Sequence, residues 1–167
     1  AGDKTIGIIG ATTENLPFVS SPRDVVSSPV AAAVNAEATA LAGSTDAIIL
    51  VSHLQGISED QAITSQLSPE IDAIIAGGGD EILGTTALLS PRTVYGSAAP
   101  ANAADSGLVP SDSFNEAELT YPTVANGVPI ATAGGNYGYL GRLTLRFDGS
   151  NNLLGVDLSS GPAVVVS

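Results

Sequence analysis

The chain has no cysteine, no methionine and no tryptophan, and only one histidine among its 167 residues. Without cysteine there are no disulfides, no thiolate metal ligands and no thiol nucleophile. Aromatic residues make up 4% against a hydrophobic content of 44%, so the core has to be built from Ala, Val, Ile and Leu. No run of about 18 apolar residues occurs, which argues against a membrane-spanning helix, and no signal peptide opens the chain. Bases are scarce as well: Lys4, Arg23, Arg92, Arg142 and Arg146 stand against 17 acids, a formal net charge of −12. Such a surface repels nucleic acid and anionic lipid. It also repels phosphorylated ligands unless a cation lies between. Acidity of this kind favours solubility and fits an exported protein, so an extracellular or periplasmic location is expected. Phosphate-loop signatures are missing: Gly77-Gly78-Gly79-Asp80-Glu81 is not GxGxxG, and no GxxxxGK[ST] exists. A chain that opens on Ala1 is read as processed, or as a piece of something longer.

What is present is a βαβαβ pattern. TIGIIG (Thr5 to Gly10), AIILV (Ala47 to Val51) and AIIA (Ala73 to Ala76) are short continuous apolar runs, as buried parallel strands should be. Between the first two, Ser28-Pro29 reads as an N-cap with a first-turn proline. The helix VAAAVNAEATALAG follows, with Val30, Val34, Ala38 and Leu41 on one face and Gly43 as its stop. Between the second and third, Ser58 and Gln61 form a capping-box pattern for a second helix. This alternation predicts an α/β domain with a parallel sheet. Residues 84–120, rich in Pro, Ala, Ser and Asp, read as a long irregular excursion within a single domain spanning 1–167. From Gly127 the pattern becomes β. Leu143, Leu145 and Phe147 alternate with polar residues, and FDGSNN signals a hairpin turn. No internal repeat is evident.

Sites in parallel sheets gather at the C-terminal strand ends. Here those ends carry Gly10 to Thr13, Ser52-His53, and Gly77 to Glu81. His53 is suited to ligating a metal or moving a proton, and equally to capping a loop carbonyl. The glycines let a ligand approach and the acids suit a hard cation. The same stretch also reads as a glycine turn before a helix with an acidic first turn. Tyr137 and Tyr139, flanking Gly138, are spaced to stack on a base or to lead into an antiparallel strand.

Four segments in this order resemble the metallophosphatase (calcineurin-like phosphoesterase) domain of the 5′-nucleotidase family, in its C-terminal half. They are KTIGIIGATTENLPFVSSP, DAIILVSHLQG, IDAIIAGGGDEIL and VPIATAGGNYGYLGRLTLRFDGSNNL. VSHLQG is similar to the family's VSHLG, and the Gly-rich turn stands where the family has GGHSH. The resemblance implies part of a four-layer α-β-β-α sandwich, with parallel strands and helices followed by antiparallel strands. It also implies two divalent metals at the strand ends that activate water against a phosphate ester. His53 matches the VSHLG histidine. Gly78 and Asp80 fall on the GGHSH histidines, or Gly79 and Glu81 with a shift of one residue. The family's DxH, following Asp and Asn-His-Glu motifs would precede Thr5, and its second domain would follow Ser167.

The resemblance therefore implies a metal-ligand set of His53 and Asp80, with Glu81 as the weaker alternative, for a divalent ion such as Mn, Zn, Fe or Ca. Because zinc sites take at least three protein ligands, a fragment without phosphatase activity of its own is expected. It would self-associate, or meet a second chain that supplies the N-terminal half. The alternatives are an exported structural or binding module that associates through an exposed sheet face, and a phosphoric ester hydrolase active as it stands.

Overall fold

The structure, a computed structural model, describes residues 3–79, 83, 121–133, 139–150, 152–156 and 161–164. Its centre is a five-stranded sheet. β1 (Ile6–Thr12), β2 (Ala47–His53) and β3 (Ala73–Gly77) run parallel, as their apolar runs predict. β5 (Val128–Ala131) joins β3 in parallel, and β4 (Thr123–Ala125) closes the edge antiparallel to β5, giving the order β1-β2-β3-β5-β4. The β4–β5 turn is Asn126-Gly127, both with positive φ, the chemistry that a two-residue hairpin requires.

The register of β1 to β3 is pinned by one device used twice. The tetrapeptide Asp-Ala-Ile-Ile occurs at 46–49 and again at 72–75. Each aspartate stands just before its strand and binds the start of the preceding one. Asp46 accepts from the Thr5 N–H at 2.8 Å and donates its own N–H to the Thr5 carbonyl at 2.7 Å. Asp72 accepts from the Ile48 N–H at 2.7 Å and donates to the Ile48 carbonyl at 2.9 Å. A one-residue slip would exchange the two faces of a strand, so these paired bonds bear directly on which side chains face the helices. Burial pushes the Asp72 carboxyl up, the Ile48 N–H pulls it down and Glu70 raises it; the net direction is upward.

One face of the sheet is covered. After the one-turn helix α1 (Leu16–Val19), α2 (Val30–Leu41) turns Val30, Val34 and Ala38 onto that face, and α3 (Ile57–Ile63) adds Ile57 and Ile63. They pack with Ile9, Ile48, Leu50, Ile74 and Ile130 into a single apolar cluster. α2 begins one residue after the proline, not at Ser28. Pro29 is its N-cap and has no side-chain acceptor, and the Glu14 carboxylate takes the Val30 N–H at 2.6 Å instead. α3 likewise starts at Ile57, with Gly56 as N-cap and no side-chain cap bond, so the Ser58–Gln61 capping box does not form. A single 3-10 turn, Thr64–Gln66, ends it.

The other face is partly exposed. Ile6, Ile8, Val51 and Ile75 are 38%, 68%, 41% and 43% exposed, and the register sets them in one apolar field with Ile49. Two further sheets are two-stranded: β6 (Tyr139–Arg142) with β9 (Gly161–Val164), and β7 (Leu145–Phe147) with β8 (Leu153–Val156). The FDGSNN turn joins β7 to β8. There Asp148 accepts from the backbones of Ser150 and Asn152 and from the Asn152 amide, each at 2.8 Å. Those bonds, the Asn152 amide first, pull its carboxyl below the usual value. Lys4 lies 5.0 Å from the Phe147 ring centroid, which brings this hairpin to the start of β1. The architecture is mixed α/β with a mostly parallel sheet. Among the described residues it supplies a helix layer and a sheet layer of the four expected.

Candidate functional site

The parallel register sets Thr12, His53 and Gly77 side by side at the C-terminal edge of the sheet. Alternation puts Ser52 on the helix-covered face and His53 on the open one. Ser52 is buried, and its hydroxyl donates to the fully buried Asp60 of α3 at 2.5 Å. That bond ties the strand tip to the helix directly beneath the histidine. Asp60 shares the apolar face of α3 with Ile57 and Ile63. An acid at helical spacing among isoleucines is the signal for such a buried partner.

Gln55 and Gly78 stand against the imidazole of His53. The Gln55 amide nitrogen lies 3.2 Å from Nδ1. Gly78, just past β3, lies under the ring with φ +93°; a Cβ there would be 2.9 Å from Nδ1 and 2.9 Å from the Gln55 backbone nitrogen. The ring therefore occupies the space that any side chain at 78 would need, and the positive φ disfavours one independently. Gln55 itself holds φ +86° without being glycine. It is the residue by which VSHLQG exceeds VSHLG, and that surplus was the available sequence signal for it.

Of the residues singled out from the sequence, His53 is exposed at the sheet edge, where the strand pattern placed it. Asp80, Glu81, Tyr137 and the excursion at 84–120 lie outside the described residues, and of Tyr139 only its backbone place at the start of β6 is described. Among the described residues no group of three or more His, Cys, Asp or Glu side chains stands together. One imidazole with an amide beside it is not a donor set for a pair of divalent ions. A separate cleft of about 270 Å³ opens between β1 and the start of α2. It is lined by Ile9, Ala11, Leu16, Val25, Val30 and Val34 among others, and His53 is not one of them.

Comparison with known proteins accords with this arrangement. No family model matches the chain. It is similar to an apyrase of Aedes aegypti, 29% identical over 153 residues that cover 88% of this chain and 24% of the apyrase. An apyrase of Aedes albopictus is 28% identical over the same shares. Among solved structures, a candidate 5′-nucleotidase from Staphylococcus aureus in complex with α-ketoglutarate superposes with a TM-score of 0.60 at 17% identity. That match covers 100% of this chain and 28% of the other. The resemblance to the 5′-nucleotidase family is borne out, and the fold is one found in such a protein. The chain spans about a quarter of the length of the relatives it matches.

Proposed function

We propose that this chain contributes the C-terminal half of a metal-dependent phosphoric ester hydrolase site of the 5′-nucleotidase type, and that it has no phosphatase turnover alone. The observation that carries the reading is the position of His53: exposed, at the C-terminal edge of parallel strands, on the sheet face whose Ile8, Val51 and Ile75 are exposed. A layer packed on Ile8, Val51 and Ile75 would border that histidine. The ordered likeness to two apyrases over 88% of the chain supports the same class of chemistry. His53 would be one ligand, with Asp80 or Glu81 as another. The remaining donors would come from an N-terminal half, supplied by a second chain or by other parts of a longer one. The acidic, lysine-poor composition supports an exported setting.

The experiment is elemental analysis together with phosphate release from a nucleoside monophosphate, before and after adding Mn or Zn, for the chain and for His53→Ala. The expected result for the chain alone is less than one metal per chain and no turnover. The N-terminal half of the domain from the similar S. aureus protein, added in trans, should raise metal retention in the chain but not in His53→Ala. Turnover by the chain alone that disappears in His53→Ala would overturn the claim of incompleteness. Retention in trans that ignores the substitution would overturn the role of His53.

A second reading, a binding module that associates through its sheet, is favoured by the exposure of Ile8 at 68% on the seven-residue edge strand β1. Sedimentation at micromolar concentration separates the two. A stable homodimer broken by Ile8→Lys supports the module. A monomer that becomes a complex only with the N-terminal half supports the hydrolase.

A further inference from the structure

We infer that Gln55 is a positioning residue that closes one ring nitrogen of His53, so that this histidine meets any ligand through Nε2 alone. The inference deepens the proposed function, resting on His53 as its ligand-bearing side chain, and concerns residues that the resemblance assigns no role.

Three observations at the strand tips converge. First, the Gln55 amide nitrogen stands 3.2 Å from His53 Nδ1. With the amide nitrogen on it, Nδ1 accepts and Nε2 carries the ring proton; with the amide turned end for end, its oxygen accepts from Nδ1–H and the Nε2 lone pair is free. Second, Gly78 approaches the same side of the ring, with its missing Cβ position 2.9 Å from Nδ1 and 3.0 Å from Cε1. A cation or reagent approaching Nδ1 meets backbone there as well as the amide. Third, Gln55 holds a positive φ of 86°, which costs a residue with a side chain more than it costs glycine. Glycine would hold that turn more cheaply; glutamine adds the amide that reaches Nδ1. Among the described residues Nε2 makes no hydrogen bond. The amide can also turn end for end, presenting its oxygen to Nδ1–H when Nε2 bonds a divalent cation. Support of a ligating imidazole by a bond to its other nitrogen is the usual way such a ring is held. Either orientation leaves Nδ1 closed.

His53 is the only histidine, so its regiochemistry of alkylation can be read without interference. The probe is bromoacetate at about pH 8, where an ordinary imidazole is mostly neutral. With the Gln55 amide oxygen accepting from Nδ1–H, the Nε2 lone pair displaces bromide from the CH₂ carbon and the Nδ1 proton is lost to solvent. Hydrolysis and amino-acid analysis then separate the Nδ1- and Nε2-carboxymethyl products. The expected result for the native chain is the Nε2 product almost alone. In Gln55→Gly, which suits the backbone, the share of Nδ1 product rises roughly tenfold, the factor that one hydrogen bond of ordinary strength sets. Gln55→Asn also tolerates positive φ but falls short of the ring, and gives the same rise should the glycine variant fold poorly. Native chain and both variants giving one product ratio would overturn the inference, as would Nδ1 as the main product in the native chain. Neither outcome depends on metal or turnover, so a failure here is distinct from a failure of the hydrolase reading.

Discussion

Replacing Gly78 by alanine tests the geometry of the strand tips most directly, because two separable costs meet there. The first is backbone conformation. At φ +93° an L-residue pays about 1–2 kcal/mol, offset by about 0.4–1 kcal/mol because alanine narrows the unfolded ensemble. The second is space. The new Cβ would sit 2.9 Å from the backbone nitrogen of Gln55 and 2.9 Å from His53 Nδ1. The imidazole can swing away, but the backbone nitrogen moves only with the turn, and a forced shift of that kind costs about 1–3 kcal/mol. Gly127 supplies the control: its φ is +82° and nothing lies within 4 Å of its missing Cβ. Gly127→Ala should therefore lose about 0–1.6 kcal/mol, and Gly78→Ala about 1–3 kcal/mol more than that. Urea unfolding of both variants beside the native chain measures the difference, and the two midpoints should separate clearly. A proton spectrum of the single imidazole should shift in Gly78→Ala and stay put in Gly127→Ala. Equal stability losses in the two variants, with an unmoved imidazole in both, would refute the close approach of Gly78 to His53.

Two further perturbations test other parts of the frame. Glu14→Ala removes the acceptor that takes the Val30 N–H at the start of α2; the expected loss is about 1–2 kcal/mol, or roughly 2–8 °C in Tm for a chain of this size, and calorimetry showing no change would sink the cap. Asp72→Asn keeps an oxygen for the Ile48 N–H but cannot ionise. Since burial raises the Asp72 carboxyl above its ordinary value, the folded chain holds that proton longer than the unfolded one. The group therefore supports folding most at low pH and less as pH climbs past its folded value. Denaturation between about pH 3 and pH 6 should show the asparagine variant gaining on the native chain as pH rises. A gain in the opposite direction would mean that the bond to Ile48, not burial, governs this carboxyl.

Much of the fold was legible because three strands and α2 announce themselves by pattern alone. Continuous runs such as AIILV have no polar position to turn outward, and Val30, Val34 and Ala38 recur at helical spacing and are buried. What escaped was short or carried by side chains far away in sequence. β4 has three residues, too few for alternation to show, and only its Asn126-Gly127 dipeptide, a strong hairpin signal, marks it in the sequence. The α2 cap comes from Glu14, sixteen residues upstream, so local reading of Ser28-Pro29 chose the wrong residue. The repeated Asp-Ala-Ile-Ile was visible in the sequence, but its use as a register clamp follows only from strand order. At the site, His53 was found by its place after a strand. Gln55 and Asp60 were not, since one acts through a turn and the other through burial.

The two open features of this molecule are linked by the pleat. Strand residues alternate faces, so a histidine exposed at the tip of β2 shares its face with Val51, and through the register with Ile8, Ile49 and Ile75. Whatever covers that apolar field meets the imidazole at its rim. Burial of the field supplies non-directional attraction, while the ring, held by Gln55 and Gly78, gives the layer a fixed point to meet. Ser52, one residue earlier, faces the opposite way into the helix layer and is bonded to Asp60, so the tip is braced from below while His53 is exposed. A hydrolytic site assembled from two halves needs that division: one half rigid before assembly, with its donor already aimed across the joint. Under the function proposed above, His53 on this sheet edge would be that donor.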